Sequence, residues 1–237
     1  MHKYFVSSRV HYCRLDDGIV MLDLKSGKYL SVGNEELTAL APIVDEWGAL
    51  SSESCRAVTR ESLDFAETLV AAGVFVRECP PSRSFSSAGY HCTAEVDWDP
   101  FNPASRKIRS IDVIRLLFAF VKSMILLRTR SLGTIFDSTH TRKLRESAGS
   151  RAPTIDEAAE LARLFRRMRP ALFSAKYKCL LESLVLVEFL AQYKTFPSWI
   201  IGVRSRPFAA HSWVVYDGTL LTGNVDNTKA YAPLLSV

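Results

Sequence analysis

Two residues of this 237-residue chain stand out for where their neighbours put them: Cys179 and His211. Cys179 opens the run Cys179-Leu-Leu-Glu-Ser-Leu-Val-Leu-Val-Glu-Phe-Leu190, which is apolar on most sides of a helix and so implies burial by neighbours all round. A cysteine in the first turn of such a helix meets unpaired amides and the positive end of the helix dipole, and both favour the nucleophilic thiolate. Its own backbone amide is placed to donate to an oxyanion. His211 lies in Ala209-Ala-His-Ser-Trp-Val-Val-Tyr216, where period-two alternation sets His211, Trp213 and Val215 on one face of a strand. Each residue has a plainer reading, as a small buried core cysteine or a neutral, internally hydrogen-bonded histidine. The combination favours chemistry: a helix-start thiol followed by a histidine strand can aim imidazole at sulfur.

Asp217-Gly218 is a strong hairpin turn signal. A two-residue turn there pairs Tyr216 with Thr219 and, carried back along the strands, sets His211 opposite Asn224. Asn224 is thereby selected to orient the imidazole, and Cys/His/Asn is a working set in cysteine peptidases. Asp226 falls on the same face if the strand continues. Gly223-Asn-Val-Asp-Asn227 is also good turn sequence, which would make both residues part of a surface loop.

The elements that must position these groups form two parts. From the N-terminus, Gly18 to Val32 reads as a β-hairpin around Lys25-Ser-Gly-Lys, followed by a helix capped by Asn34 that Pro42 should kink or shorten. A second apolar stripe, Leu63, Ala66, Leu69 and Val70, ends at Gly73 and leads to a short strand, Val74 to Val76. The Pro- and Ser-rich segment after Cys79 reads as a linker. Beyond it, helices are expected over about 111–128, 154–169 and 175–193, then strands at Trp199–Val203, Ala209–Tyr216 and Thr219–Thr222. The expected organisation is a small non-catalytic domain at 1–80, a linker at 81–98 and a catalytic domain at 99–237, an α+β chain throughout.

Composition narrows the function. Residues 1–80 carry 8 Lys and Arg against 12 Asp and Glu, a net of −4, whereas the remainder is net +9. A winged-helix-like start suggests DNA binding, but the clustered positive charge that phosphate requires is absent there, so no nucleic-acid partner is expected. The basic residues Arg106, Lys107, Arg109 and Arg163 to Arg169 read as solvated helix faces. Five scattered cysteines without a Cys-x-x-Cys pair indicate reduced thiols, and no metal or cofactor is expected. His11 with Cys13, and His91 with Cys92, would each make only half of a zinc site. No secretory signal is read at the N-terminus, and the apolar stretch Ile111 to Leu127 is too short and too charged to span a bilayer. The expected compartment is the cytoplasm, without stable membrane insertion.

Lys178-Cys-Leu-Leu-Glu-Ser-Leu, Ile201-Gly-Val, Ala210-His-Ser-Trp-Val with Asp217-Gly218, and Tyr231-Ala-Pro-Leu-Leu together resemble the transglutaminase-like leader peptidases of lasso-peptide biosynthesis. The N-terminal hairpin and helices resemble the small winged, PqqD-like domain fused to many of them. The resemblance implies a PqqD-type domain followed by a papain/transglutaminase-like cysteine peptidase domain, with helices packed on an antiparallel sheet. It also implies the reaction: hydrolysis of the leader–core bond of a ribosomal precursor peptide, after which a separate asparagine-synthetase-like, ATP-dependent cyclase closes a macrolactam. In that family an aspartate usually follows the histidine strand, commonly in an Asn-Asp-type run. Thr222-Gly-Asn-Val-Asp226 departs from that pattern.

The precursor's leader is expected to add as a strand beside Tyr29, Leu30, Ser31 and Val32 and to lie against Leu63, Ala66, Leu69 and Val70, since it needs only a free sheet edge and an apolar groove. Two other readings share the same residues: an acyltransferase, which would pass through the same thioester to an amine, and a non-catalytic peptide-binding scaffold.

Overall fold

The computed structural model describes residues 3–48, 58–81, 92, 94–97, 106–147, 151–172 and 179–237. The N-terminal unit holds β1 (Phe5–Val6), β2 (Val10–Leu15), β3 (Gly18–Asp23), β4 (Lys28–Gly33), α1 (Asn34–Leu40), α2 (Arg60–Ala71) and β5 (Phe75–Val76). Strands β2, β3 and β4 form an antiparallel sheet in that order, and β1 pairs with β5. The hairpin turn is as expected: Gly27 adopts φ 69°, its amide donates to the Asp23 carbonyl, and the Asp23 carboxylate accepts from the Lys25 amide. Helix α1 stops at Leu40, two residues before Pro42, and Gly33 occupies the N-cap position. Asn34 lies one residue inside; its side chain instead donates to the Asp16 carbonyl and accepts from Arg14.

The run Ile19-Val-Met-Leu22 in β3 is buried on both sides, which is why it is continuously apolar and does not alternate. Ile19 and Met21 pack with Leu37, Leu40, Trp47, Ala66 and Phe75 in the N-terminal core. Val20 and Leu22 face the other way, with Cys13 and Leu24, and belong to the same hydrophobic cluster as the C-terminal helices and strands. The two parts are therefore packed together through a shared core. Most of the expected linker, 82–91, 93 and 98, lies outside the described residues.

After β6 (Ala94–Glu95) come α3 (Ser110–Thr129), α4 (Leu132–Ser147), α5 (Ile155–Met168), a 3-10 turn (Arg169–Ala171), α6 (Cys179–Ala191), β7 (Ser198–Arg204), β8 (Ala209–Tyr216), β9 (Thr219–Leu220), α7 (Val225–Lys229) and β10 (Ala232–Ser236). The sheet order is β10-β7-β8-β9-β6, antiparallel except for β6, which runs parallel to β9. The fold is thus mixed α+β, with a short parallel pair where an antiparallel sheet was expected. Thr154 and Glu157 cap α5 reciprocally. Arg163, Arg166 and Arg167 on α5 donate to the carbonyls of Asp97, Gly223 and Arg106, so these basic residues clamp backbone and are not merely solvated.

Helix α4 was not expected. Only Ile135, Phe136 and Thr139 of its 16 residues are buried, too few to write a helical period, yet Phe136 stacks on Trp199 of β7 at 4.2 Å. Helix α6 is enclosed as its composition demands, Leu181 and Ser183 through Ala191 all being buried; the expected start of this helix at 175–178 lies outside the described residues.

Candidate active site

Cys179 is the first residue of α6, half-buried and unpaired. One turn further on, Ser183 Oγ donates to the carbonyl of Ser212 in β8 at 2.9 Å. Residues four apart share a helix face, so Cys179 lies about one turn, roughly 5.4 Å of rise, from that anchor. Tyr29 of β4 marks the direction. Burial first, and then the negative charge of a Cys179 thiolate, push its phenol up to about 12. On its other side Tyr29 meets Phe208, at the entry to β8, edge to face with ring centres 5.6 Å apart. Thus the α6 N-terminus, the edge strand of the N-terminal sheet and the start of the histidine strand converge.

His211 pairs across the ladder with Gly202 of β7. Its ring stacks on Trp213, centroids 5.9 Å apart, and is tilted against Tyr231 at 5.3 Å. A Cβ on Gly202 would collide with the Trp213 ring and the Ala232 carbonyl, so glycine there is what lets the indole lie across β7 beneath the imidazole. Burial lowers the His211 pKa below 6.5, keeping the imidazole in its basic form. Alternation separates the faces of β8: Ala210, Val214 and Tyr216 pack in the core that contains α6, whereas Trp213 and Val215 pack with Ile200 and Leu220 in a smaller cluster. Among the described residues no hydrogen bond joins His211 to Cys179. His211 alternates with Trp213 and Val215 on the face of β8 turned away from the α6 core, so the structure brings helix and strand together without seating imidazole on sulfur.

The expected third member sits elsewhere. The hairpin register is as read, with Tyr216 opposite Thr219 and Val215 opposite Leu220, but β9 ends at Leu220. The Thr222 hydroxyl takes the Val214 amide, Gly223 turns the chain at φ 77°, and Asn224 becomes the N-cap of α7, accepting from the Asp226 amide at 2.7 Å. Asn224 therefore does not extend the strand to face His211. Asp226 is 85% exposed and pairs with Lys229. Turn chemistry at 223–227 outcompeted the strand.

Of the residues expected to hold a peptide, Tyr29, Leu30, Ser31 and Val32 lie on β4, the outer strand of its sheet. A cleft of about 350 Å³ runs along them and is closed on the far side by Ser205 and Phe208 of the β7–β8 turn. It shares Asp17, Gly33 and Ser205 with a larger cleft of about 1010 Å³ between the two parts of the chain. The α2 residues do not join it. Ala66 and Leu69 are buried, and Leu63 and Val70, partly buried, pack against the same N-terminal core.

Two residues escaped the sequence reading. Phe208 precedes the β8 run and carries no pattern. Cys92 lies in the segment read as linker, yet packs in the cluster beneath His211. Its thiol is raised by burial, and burial pushes Cys13 to about 12, which disfavours either as a nucleophile. Among the described residues no group of three His, Cys, Asp or Glu side chains could hold a metal ion.

A thiol at a helix start packed on a sheet that carries a histidine is the layout of cysteine-dependent acyl transfer. Residues 120–236 match the family described as the Transglutaminase-like superfamily, so the C-terminal half of the chain holds a transglutaminase-like domain. That superfamily generally comprises enzymes with Cys, His and Asp or Asn in the catalytic set, which points to cysteine peptidase or acyltransferase-type activity. No curated protein matches the chain, and no solved structure does.

Proposed function

We propose that this chain is a cysteine peptidase of lasso-peptide biosynthesis, which binds the leader of a ribosomally made precursor peptide and hydrolyses the leader–core bond. One observation carries the reading: Tyr29, on the outer strand β4, packs against Phe208 at the entry to the histidine strand and is near enough to Cys179 for a thiolate there to raise its phenol. A peptide added to β4 as a further strand is held by main-chain hydrogen bonds along the 350 Å³ cleft and is led towards the thiol. The PqqD-like character of the N-terminal unit rests on the sequence resemblance.

His211 takes the proton of the Cys179 thiol, the resulting thiolate attacks the carbonyl of the last leader residue, and the amide of Cys179 supports the oxyanion. The C–N bond breaks, the core amine leaves with a proton supplied by His211, and the leader remains as a thioester. Water, deprotonated by His211, releases it. The freed amine is then available to an asparagine-synthetase-like, ATP-dependent cyclase in the cytoplasm.

Mass spectrometry of precursor incubated with the chain, cyclase and ATP tests this. The expected products are a free leader acid and a cyclised core. A leader joined to an added amine, with no free acid, would establish a transferase instead, and an uncut precursor would remove the peptidase reading.

A further inference from the structure

Helix α3 bears large apolar side chains on the side turned to solvent. Ile111, Ile114, Leu117, Phe118, Val121 and Ile125 are between 44% and 60% exposed, and at 100° per residue Ile114, Phe118, Val121 and Ile125 form one stripe. The helix is 20 residues long, about 30 Å at the usual rise. Its opposite side is committed: Leu116 and Ala119 are buried in the core, and Lys122 pairs with Glu188 of α6. The stripe takes no part in the active site, and no helix among the described residues is long and apolar enough to cross a membrane.

The exposed charge on α3 and at its two ends is of one sign. The only carboxylate on α3, Asp112, is fully buried and held by Arg106, Arg109 and Tyr193. Exposed Lys107 and Arg109 stand at the start of the helix, and exposed Arg128 and Arg130 at its end. The β3–β4 turn adjoins that second end, where the Gly133 amide donates to the Leu24 carbonyl, and it adds exposed Lys25 and Lys28. Two copies packed helix to helix, parallel or antiparallel, would set like charges against each other. The stripe is a convex ridge of aliphatic side chains and one Phe, without the Trp or Tyr anchors that concentrate binding energy in protein interfaces. An apolar helix face with cations at both ends and no exposed acid on the helix itself fits lipid headgroups.

We propose that α3 is a peripheral membrane-docking helix, which lays the stripe from Ile111 to Ile125 into the headgroup region of an anionic bilayer while Lys25, Lys28, Arg128 and Arg130 meet the lipid phosphates.

The test is flotation of the full chain with vesicles containing phosphatidylglycerol, beside vesicles of phosphatidylcholine alone. The chain is expected to float with the anionic vesicles, to stay behind with the neutral ones, and to be released by high salt. Ile114→Ser with Phe118→Ser should weaken binding by about tenfold or more, and Arg128→Glu with Arg130→Glu by a similar factor, with unchanged melting temperatures. No flotation, or flotation undiminished in both double variants, overturns the proposal. So does a dimer in vesicle-free solution that Phe118→Ser dissociates, since the stripe would then be an interface between copies.

Discussion

Tyr29 and Phe208 meet edge to face with ring centres 5.6 Å apart, and this contact fastens the outer strand of the N-terminal sheet to the entry of the strand that carries His211. Burial in this contact is the main reason the Tyr29 phenol is raised. Removing the contact should uncouple peptide capture from cleavage. Phe208→Ala is expected to raise KM with a smaller change in kcat, because Phe208 walls the cleft and touches no reacting atom in the proposed mechanism. Tyr29→Asp should weaken leader-peptide binding by about tenfold or more, since it places a charge in a half-buried apolar contact. Steady-state cleavage kinetics measure the first and titration of labelled leader against the full chain the second; unchanged affinity in Tyr29→Asp would move the binding surface away from β4.

Cys179→Ala should abolish cleavage while leaving leader binding and melting temperature intact, because the thiolate is needed only for attack. Cys92→Ser should cleave at close to the normal rate, although its sulfur packs in the cluster under His211. The comparison is decisive: if Cys92→Ser is the dead variant, the nucleophile has been assigned to the wrong thiol.

Burial lowers His211 below 6.5 because charging an imidazole away from water is unfavourable. The folded chain gives up this proton at a lower pH than the unfolded chain does. Folding stability should therefore decline as pH falls below about 6.5 and level off once the folded form is protonated too. The basic form persists into mild acid, so the acid limb of kcat/KM should lie below about 6.5. A pH–rate profile checks this, beside melting curves of the natural chain and His211→Gln; an acid limb above 6.5 would contradict it.

Asn224 serves α7 in this structure. Asn224→Ala is expected to cost about 1 kcal/mol by losing the cap, whereas Asn224→Asp should keep it and Asp226→Ala, at a solvated carboxylate, should be nearly silent. Cleavage rates should follow the same order, with small changes only. A large loss of kcat in Asp226→Ala, with stability unaltered, would show that the 223–227 segment rearranges to bring a carboxylate to His211.

Gly202 leaves room for the Trp213 ring under the imidazole. Gly202→Ala should destabilise the fold by about 1–3 kcal/mol through overpacking, and it should lower kcat more than Trp213→Phe does. Denaturant unfolding and kinetics on the two variants compare the effects.

Much of this protein is written locally. The all-round apolar run of α6, the alternation of β8, the Asp217-Gly218 turn and the glycine-dependent hairpin at Gly27 each depend on periodicity or backbone freedom within a few residues, and each stands as read. What the sequence could not express was competition between neighbours and contacts across the chain. Asn224 had two local options, strand and cap, and the cap won once Thr222 closed the ladder and Gly223 turned the backbone. Helix α4 exists because Phe136 finds Trp199 some sixty residues away, a partner that no local pattern encodes. Leu69 reads as a groove residue and as a core residue from the same stripe; only the packing of α2 on the N-terminal sheet makes it core. The meeting of Tyr29 and Phe208 is of that kind too, since the two are about 180 residues apart and are joined by a core that both halves must complete.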